Sequence, residues 1–203
     1  MIDLRGKAAV IFGLRGTGKS TLVNTILEVY GQKALYYDTV WEAPDTMTYD
    51  IYRPKNRYAV DEYESVIKAI IPTNINQIPK YRLFATDEAN RFCPSKPAQL
   101  PSAVADLNDQ CRHYLMTVIF IARRPSQLNQ DLTELADYIF VFKLTGKNDL
   151  DYLKNLVTGL DDAVRSLGEH EFVVVNPDRS YAISNPVIPN PLWLSNAYKL
   201  LNK

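Results

Sequence analysis

Apolar and polar residues follow one another along the chain in a pattern that predicts a regular succession of strands and helices. The first apolar run, Ala8 to Phe12, is typical of a buried strand, and a helix from Thr21 to Tyr30 follows it, with Gly31 as its left-handed end. Further apolar runs predict strands at 33–37, 81–88, 117–122, 138–142, 171–175 and 180–183. Helical spacing of apolar positions predicts helices at 61–71, 102–112, 128–135, 148–157 and 161–167. This alternation predicts an α/β fold with three layers and a mostly parallel central sheet.

Two irregular segments and a tail interrupt the alternation. Residues 41–57 are rich in Pro and Asp and lack a helical period, and residues 90–101 form a Pro-containing loop, after which Ser102 is expected to cap the next helix. From Pro186 onward the chain is a Pro-rich tail that is too apolar to remain in solvent. We therefore expect one domain over residues 1–203, whose tail at 186–203 docks on the core or on a neighbouring subunit.

Composition narrows the possible functions only slightly. Basic and acidic residues balance at 23 each, so any binding of a polyanion must come from local patches. Cys93 and Cys111 have neither the spacing of metal ligands nor that of a disulfide framework. No apolar run approaches the ~18–20 residues of a membrane span, and the N-terminus lacks a signal pattern. We therefore expect a soluble, intracellular protein without a transmembrane segment of its own.

The segment Gly13 to Ser20 fits the phosphate-binding pattern G-x-x-x-x-G-K-[ST] at every specified position, between a predicted strand and a predicted helix. In such a loop the glycines let backbone N–H groups surround the phosphates, and the helix dipole favours their charge. Lys19 is predicted to reach the β- and γ-phosphate oxygens, and the Ser20 hydroxyl to bind Mg²⁺. The residues predicted to contact the phosphates are Gly13, Arg15, Gly16, Thr17, Gly18, Lys19, Ser20 and Thr21.

A second motif is the pair of carboxylates, Asp87 and Glu88, that ends the strand at 81–88. Asp87 is predicted to hold Mg²⁺, and Glu88 to orient and polarise the attacking water. Because a kinase needs its acceptor hydroxyl where Glu88 would hold water, the pair favours hydrolysis. The sequence contains neither the Asn-Lys-x-Asp motif of guanine specificity nor the Leu-Ser-Gly-Gly-Gln signature of transporter ATPases, and base preference stays open.

Arginines are the candidate groups for neutralising charge on the γ-phosphate. A guanidinium delivered by a neighbouring subunit can raise turnover ~10³–10⁵-fold in nucleotide hydrolases. The residues alone do not say which arginine acts in this way. The candidates are Arg91, Arg112, Arg123 and Arg124.

Four features in this order resemble the FtsK–HerA superfamily of DNA-pumping ATPases. They are the loop at 13–20, the strand that ends in Asp87-Glu88, the helix that ends in Cys111-Arg112-His113, and the segment 118–126. In that family the last strand ends in a polar sensor, usually Gln, and then Arg-Pro. Here Arg123 takes the Gln place, which leaves the sensor mechanism open, and Arg124-Pro125 match. The resemblance covers residues 7–144 and implies a RecA-like fold of the ASCE division of P-loop NTPases.

Within that superfamily the chain looks like the genome-packaging ATPases of icosahedral viruses with internal membranes, including those of the Sulfolobus turreted viruses. The resemblance implies ATP and Mg²⁺ as cofactors and catalytic roles for Lys19, Glu88, Arg112, Arg123 and Arg124, with Arg112 as the arginine that acts in trans. It also implies a homo-oligomeric ring, expected to be a hexamer, that pumps double-stranded DNA at a capsid vertex or beside membrane-associated virion proteins. The expected location is the host cytoplasm during assembly, the virion, or both.

Two other functions stay open from the residues. One is a nucleotide or small-molecule kinase that uses the same loop, and the other is an assembly factor whose oligomeric state is set by nucleotide. The motor hypothesis requires contact with DNA, which depends on local basic residues. The candidates are the cluster at 53–57 together with Arg91, Lys96, Lys143 and Lys147.

Overall fold

In the computed structural model, which describes residues 2–74 and 77–189, one eight-stranded sheet forms the centre of the molecule. The strand order is β3-β2-β4-β5-β1-β6-β7-β8, and all pairs from β3 to β6 are parallel, whereas β7 and β8 add an antiparallel hairpin. The strands are β1 Ala8–Phe12, β2 Ala34–Tyr37, β3 Asp50–Tyr52, β4 Leu83–Thr86, β5 Thr117–Ala122, β6 Tyr138–Phe142, β7 Phe172–Val175 and β8 Tyr181–Ser184.

Six helices cover the sheet unequally. Apolar residues of α2, α3, α4, α5 and α6 pack on one face, whereas on the other face α1 is the only helix of the described part of the chain that contributes to the core. The helices are α1 Lys19–Tyr30, α2 Val60–Ile70, α3 Ser102–Gln110, α4 Gln130–Glu134, α5 Lys147–Leu156 and α6 Leu160–Ser166. None of the helices within residues 2–74 and 77–189 is long and apolar enough to cross a bilayer.

Strand β1 lies between β5 and β6 in the middle of the sheet, and all five of its residues are buried. Its last residue, Phe12, pairs with Ala122 at the end of β5. Because β1, β4 and β5 are parallel, the residues that follow them meet at one edge of the sheet, as the carboxyl ends of parallel strands do. This carboxyl edge carries Gly13, Asp87 and Arg123.

The predicted α/β fold of the P-loop NTPase type, with its mostly parallel sheet, is confirmed. Two local predictions were wrong. The segment 41–57 contains the short strand β3, whose three half-buried residues are too few to show a period. Ser102 does not cap α3 but is its first residue, since the Glu64 carboxylate of α2 accepts hydrogen bonds from the Ser102 hydroxyl and the Ala103 N–H, both at 2.9 Å. Most of the predicted docked tail, residues 190–203, lies outside the described residues.

Candidate nucleotide-binding site

The loop between β1 and α1 has a backbone that only its glycines permit. Gly18 has a φ of 107°, which side-chain-bearing residues rarely adopt. A Cβ on Gly13 would lie 2.6 Å from the Thr17 Oγ1 and 2.7 Å from the Cβ of Phe142 at the end of β6. The loop is therefore packed closely against β6 and brings its backbone N–H groups to the N-terminus of α1, where an anion is favoured.

Lys19 is held inside the loop by a backbone carbonyl. Its Nζ donates to the carbonyl oxygen of Leu14 at 2.9 Å, and the Thr17 hydroxyl donates to the same oxygen at 2.9 Å. Burial lowers the pKa of Lys19, while the nearby Asp87 and Glu88 carboxylates act in the opposite direction. A bound phosphate would offer Lys19 charged acceptors in place of the neutral Leu14 carbonyl. Because hydrogen bonds to charged acceptors are stronger, Lys19 would exchange the carbonyl for the phosphate. The other predicted phosphate contacts surround this position, with Arg15, Gly16 and Ser20 exposed and Thr21 half-buried.

Asp87 is a largely buried carboxylate at the end of β4. Burial, together with the charges of Glu88 and Asp38, raises its pKa to about 7 against the opposing effect of Lys19. Glu88, the next residue, has a φ of 47°, so the chain turns sharply after Asp87. Because of this turn, the Asp87 and Glu88 carboxylates lie at the same edge of the sheet but point in different directions.

Asp38 is a site residue that the sequence reasoning missed. It is fully buried at the end of β2 and accepts backbone N–H groups of Trp41 at 2.7 Å and of Ala43 at 3.0 Å. The signal was present, because the predicted second strand also ended at this edge of the sheet, on an aspartate. Asp38 therefore fixes the loop after β2 and adds negative charge next to Asp87.

The carboxyl edge fits a magnesium–triphosphate complex. Three carboxylates, Asp38, Asp87 and Glu88, follow the ends of β2 and β4. Burial, together with the charges of Glu88 and Asp38, raises the pKa of Asp87, so added positive charge is favoured there. Carboxylate and hydroxyl oxygens are the ligands that Mg²⁺ prefers, together with phosphate oxygens. Asp87 and the Ser20 hydroxyl are the residues that would hold the ion.

Arg123, directly after β5, pairs with Glu88. Its Nε donates to Glu88 Oε1 at 2.6 Å, and this hydrogen bond raises the pKa of Arg123. The sequence predicts separate partners for the two residues, the γ-phosphate for Arg123 and water for Glu88. In this structure each satisfies the other, so the two predicted catalytic groups are mutually engaged.

Two of the remaining candidate arginines, Arg112 and Arg124, have partners elsewhere. The Arg124 Nε lies 3.8 Å from Oδ2 of Asp149, a buried residue of α5 that also accepts the Ser126 hydroxyl at 2.7 Å. Arg112 lies beyond α3 at the opposite edge of the sheet, 3.8 Å from Asp137, with 72% of its side chain exposed. The structure thus brings Lys19, Asp87, Glu88 and Arg123 together and leaves Arg112 and Arg124 apart from them.

A parallel α/β sheet whose central strand runs into a phosphate loop beside strand-end carboxylates is the fold of the P-loop nucleoside triphosphatases. Several solved structures share it. The genome packaging NTPase B204 from Sulfolobus turreted icosahedral virus 2, in complex with ATP-gammaS, superposes with a TM-score of 0.75 at 17% identity, over 90% of this chain and 98% of that one. B204, the DNA-packaging ATPase from Sulfolobus turreted icosahedral virus, gives 0.71 at 15% identity, over 92% and 100%.

A bacterial protein has a more distant form of the same fold. The N-terminal domain of zonular occludens toxin from Neisseria meningitidis superposes with a TM-score of 0.55 at 13% identity, over 94% of this chain and 98% of that domain. No protein-family model and no curated protein matches the sequence. The resemblance drawn from the motifs is therefore confirmed by the fold, which the viral structures share over nearly their whole length.

Proposed function

We propose that the protein is an ATP-hydrolysing motor that moves double-stranded DNA and packages a viral genome into a preformed capsid. The observation that carries the proposal is the convergence of Lys19, Asp87, Glu88 and Arg123 at the carboxyl edge beside the phosphate loop. The structural neighbours described as genome packaging NTPases supply the substrate class.

Triphosphate binding follows from the loop. Lys19 exchanges the Leu14 carbonyl for β- and γ-phosphate oxygens, and the backbone N–H groups around Gly16 and Gly18 surround the phosphates. Ser20 and Asp87 would hold Mg²⁺, whose positive charge would neutralise charge on the phosphates and at this edge of the sheet. Asp87 becomes fully ionised as this charge arrives, because opposite charge lowers a carboxyl pKa.

Hydrolysis requires Glu88 to be released from Arg123. The γ-phosphate competes for the Arg123 guanidinium, and Glu88 then accepts a proton from the water that attacks the γ-phosphorus while the bond to the β-phosphate oxygen breaks. Arg123 is attracted to the γ-phosphate by charge, whereas a Gln at this position would bind through its amide. The movement of Arg123 therefore senses the nucleotide and also releases Glu88, the general base. Until then the 2.6 Å ion pair between Arg123 and Glu88 keeps the base occupied.

DNA contact is proposed at two arginines that stack on aromatic rings. The Arg57 guanidinium carbon lies 5.2 Å from the Trp41 ring centroid, and that of Arg91 lies 5.2 Å from the Tyr58 ring centroid. We call these four residues the arginine–aromatic ledge. They follow the carboxyl ends of β2, β3 and β4, so the ledge lies at the same edge of the sheet as the carboxylates. Arg57 is exposed and Arg91 is half-buried. Stacking therefore holds the Arg57 guanidinium plane while its N–H groups face solvent, where they can reach phosphates.

The other basic residues considered for DNA contact are mostly engaged within the chain. Arg53 pairs with Asp45 at 2.6 Å, Lys96 pairs with Asp131 at 2.7 Å, and Lys143 donates to the carbonyl of Leu167 at 2.6 Å. The ledge is therefore the better candidate.

We further propose that the motor works as a homo-oligomeric ring, a hexamer, at a capsid vertex or beside membrane-associated virion proteins. The exposed Arg112, at the edge of the sheet opposite the loop, supports the ring because a residue there can reach only another subunit's nucleotide. The protein would then act in the host cytoplasm during assembly, in the virion, or in both.

The test is steady-state release of phosphate from ATP with and without double-stranded DNA of increasing length. We expect turnover that rises with DNA, loss of turnover in Lys19→Ala, and a loss of at least ~10²-fold in Glu88→Gln with nucleotide affinity kept. Unchanged turnover in Glu88→Gln would remove the hydrolytic role assigned to this residue.

The same assay separates the two alternatives. A kinase would transfer radiolabelled γ-phosphate to an added acceptor rather than to water. An assembly factor would change its mass on binding nucleotide without measurable turnover. The mass of the assembly is therefore measured in parallel, with and without nucleotide.

A further inference from the structure

The molecule has a large apolar cavity away from the nucleotide site, with a volume of about 500 Å³. It lies between α1 and the β6–β7–β8 part of the sheet, and we call it the α1 groove. Its lining includes Leu4, Ile26, Val29, Phe140, Phe172 and Ser184.

The groove exists because α1 is the only helix that the described chain places on this face of the sheet. On the opposite face, α5 and α6 cover the same strands through residues such as Leu153 and Val164. Phe140 and Phe172 are themselves buried, but Val29 of α1 is 81% exposed at the groove wall. In the described residues, this face of the sheet therefore lacks a second helix that would complete the third layer of the fold.

The C-terminal end of the described chain lies beside the α1 groove. Strand β8 ends at Ser184, which pairs with Phe172 and lines the groove. Val187 packs against the apolar cluster on the same face, and Ile188 is 88% exposed. The described chain therefore passes the apolar groove shortly before it ends at residue 189.

The sequence of residues 190–203 has an amphipathic pattern that fits the apolar groove. Leu194, Ala197, Tyr198 and Leu201 recur at the spacing i, i+3, i+4, i+7, which puts them on one face of a helix. Four positions on the opposite face are polar, with the apolar Leu200 beside them: Ser195, Asn196, Lys199 and Asn202. Ten helical residues extend about 15 Å, enough to cross three strands spaced about 4.8 Å apart.

We propose that residues 191–203 bind in the α1 groove of their own chain as an amphipathic helix and complete the second helical layer. The occupant is the same chain because Val187 already packs on this face and leaves no distance to be bridged. The inference is independent of the proposed motor function, since it rests on no residue of the nucleotide site.

Tryptophan fluorescence of the full-length chain tests the proposal. The protein contains two tryptophans, Trp41 and Trp193, so Trp41→Phe leaves Trp193 as the only reporter. We expect its emission to be blue-shifted and protected from acrylamide relative to a synthetic peptide of residues 186–203. Adding Val29→Asp, which puts a charge on the groove wall, should shift the emission to that of the peptide.

The matched control is Ile78→Asp, since Ile78 is 76% exposed and lies outside the groove. It should leave the Trp193 emission unchanged. Peptide-like emission before any groove mutation, or equal effects of Val29→Asp and Ile78→Asp, would overturn the proposal. A blue shift that disappears in monomers isolated by size would mean that the tail binds a neighbouring copy, and would overturn docking in the same chain.

Discussion

Burial beside two other carboxylates raises the pKa of Asp87 to about 7, so its negative charge destabilises the nucleotide-free protein. In the unfolded chain this carboxyl has its ordinary pKa, near 3.8. Between about pH 4 and pH 7 the folded state therefore holds a proton that the unfolded state has released, and stability falls as the pH rises through this window. A site that binds Mg²⁺ and phosphate tolerates this destabilisation because binding removes it.

Asp87→Asn should consequently stabilise the nucleotide-free protein at pH 8, by on the order of 1–3 kcal/mol, and change it little at pH 4. Urea unfolding at the two pH values measures the difference. The exposed Asp109 provides the control variant Asp109→Asn. The same pH dependence in both variants would contradict the role given to Asp87, whereas loss of Mg²⁺-dependent turnover is expected only in Asp87→Asn.

Sequence reasoning predicted most of the residue types at the site but not how they pair. Lys19, Asp87 and Glu88 are fixed by motifs, because the chemistry of phosphates demands those groups at the ends of adjacent strands. The Arg123–Glu88 pair depends on side-chain conformations across β4 and β5, which no local pattern contains. Asp38 was missed because a single aspartate after a strand is also the ordinary start of a loop.

At the scale of elements, α2 holds the end of β4 in place. Tyr63 of α2 is fully buried, its hydroxyl lies 2.8 Å from the Thr86 Oγ1, and its ring stacks on Phe92 with 4.3 Å between centroids. Thr86 directly precedes Asp87, and Phe92 follows the turn after Glu88. One tyrosine thus fixes both sides of the carboxylate turn.

Tyr63→Phe should destabilise the protein by about 1–2 kcal/mol, because the buried Thr86 hydroxyl loses its partner. Thermal unfolding should show a fall in Tm of ~2–5 °C. Tyr58→Phe, which removes the same group from a ring that is 69% exposed, should leave Tm unchanged. Equal Tm values for the two variants would mean that the Tyr63 hydroxyl does not hold the turn.

Most helices and strands could be predicted from the sequence, because a regular spacing of apolar residues indicates which positions are buried. The strands at 117–122 and 138–142 and the helix α2 were predicted within a residue of their observed bounds. Strand β3 was missed because its backbone pairs with β2 although its side chains are only half-buried. The order of the strands in the sheet follows from contacts between distant segments, which periodicity does not encode.

At the scale of the whole molecule, the proposed motor would have to pass energy from the carboxylates to DNA. The ledge is joined to them by short connections: Asp38 holds the backbone of Trp41, and Arg91 ends the single helical turn after Glu88. A change in the position of either carboxylate is therefore transmitted to the ledge through backbone rather than through solvent.

The double variant Trp41→Ala/Arg57→Ala should weaken binding of double-stranded DNA and lower its salt dependence, because phosphate contacts release counterions. Turnover without DNA should stay unchanged. Fluorescence anisotropy with labelled DNA at several salt concentrations measures the effect, and Arg165→Ala, another exposed arginine, is the control. DNA affinity equal to that of the wild type would place the DNA contact elsewhere.

Arg112 is tested by mixing two inactive variants. If it completes the nucleotide site of a neighbouring subunit, Arg112→Ala and Glu88→Gln chains assembled together should regain turnover at interfaces that combine an intact Glu88 with an intact Arg112. A mixture of Lys19→Ala and Glu88→Gln should stay inactive, because both residues act within one subunit. Absence of recovery in the first mixture would return the trans role to Arg91 or Arg124.

The central position of β1 also has a consequence for synthesis of the protein on the ribosome. Ala8 pairs with Val118 on one side and Ala9 pairs with Tyr138 on the other, so the first strand made waits for the partners made last. A nascent chain that ends before β6 carries the whole phosphate loop but leaves the apolar β1 without one of its two neighbouring strands. Such contacts between distant segments form slowly and leave unpaired edges exposed. We therefore expect nucleotide binding only when about two thirds of the polypeptide has emerged, and such binding would report that β1 has paired with both β5 and β6.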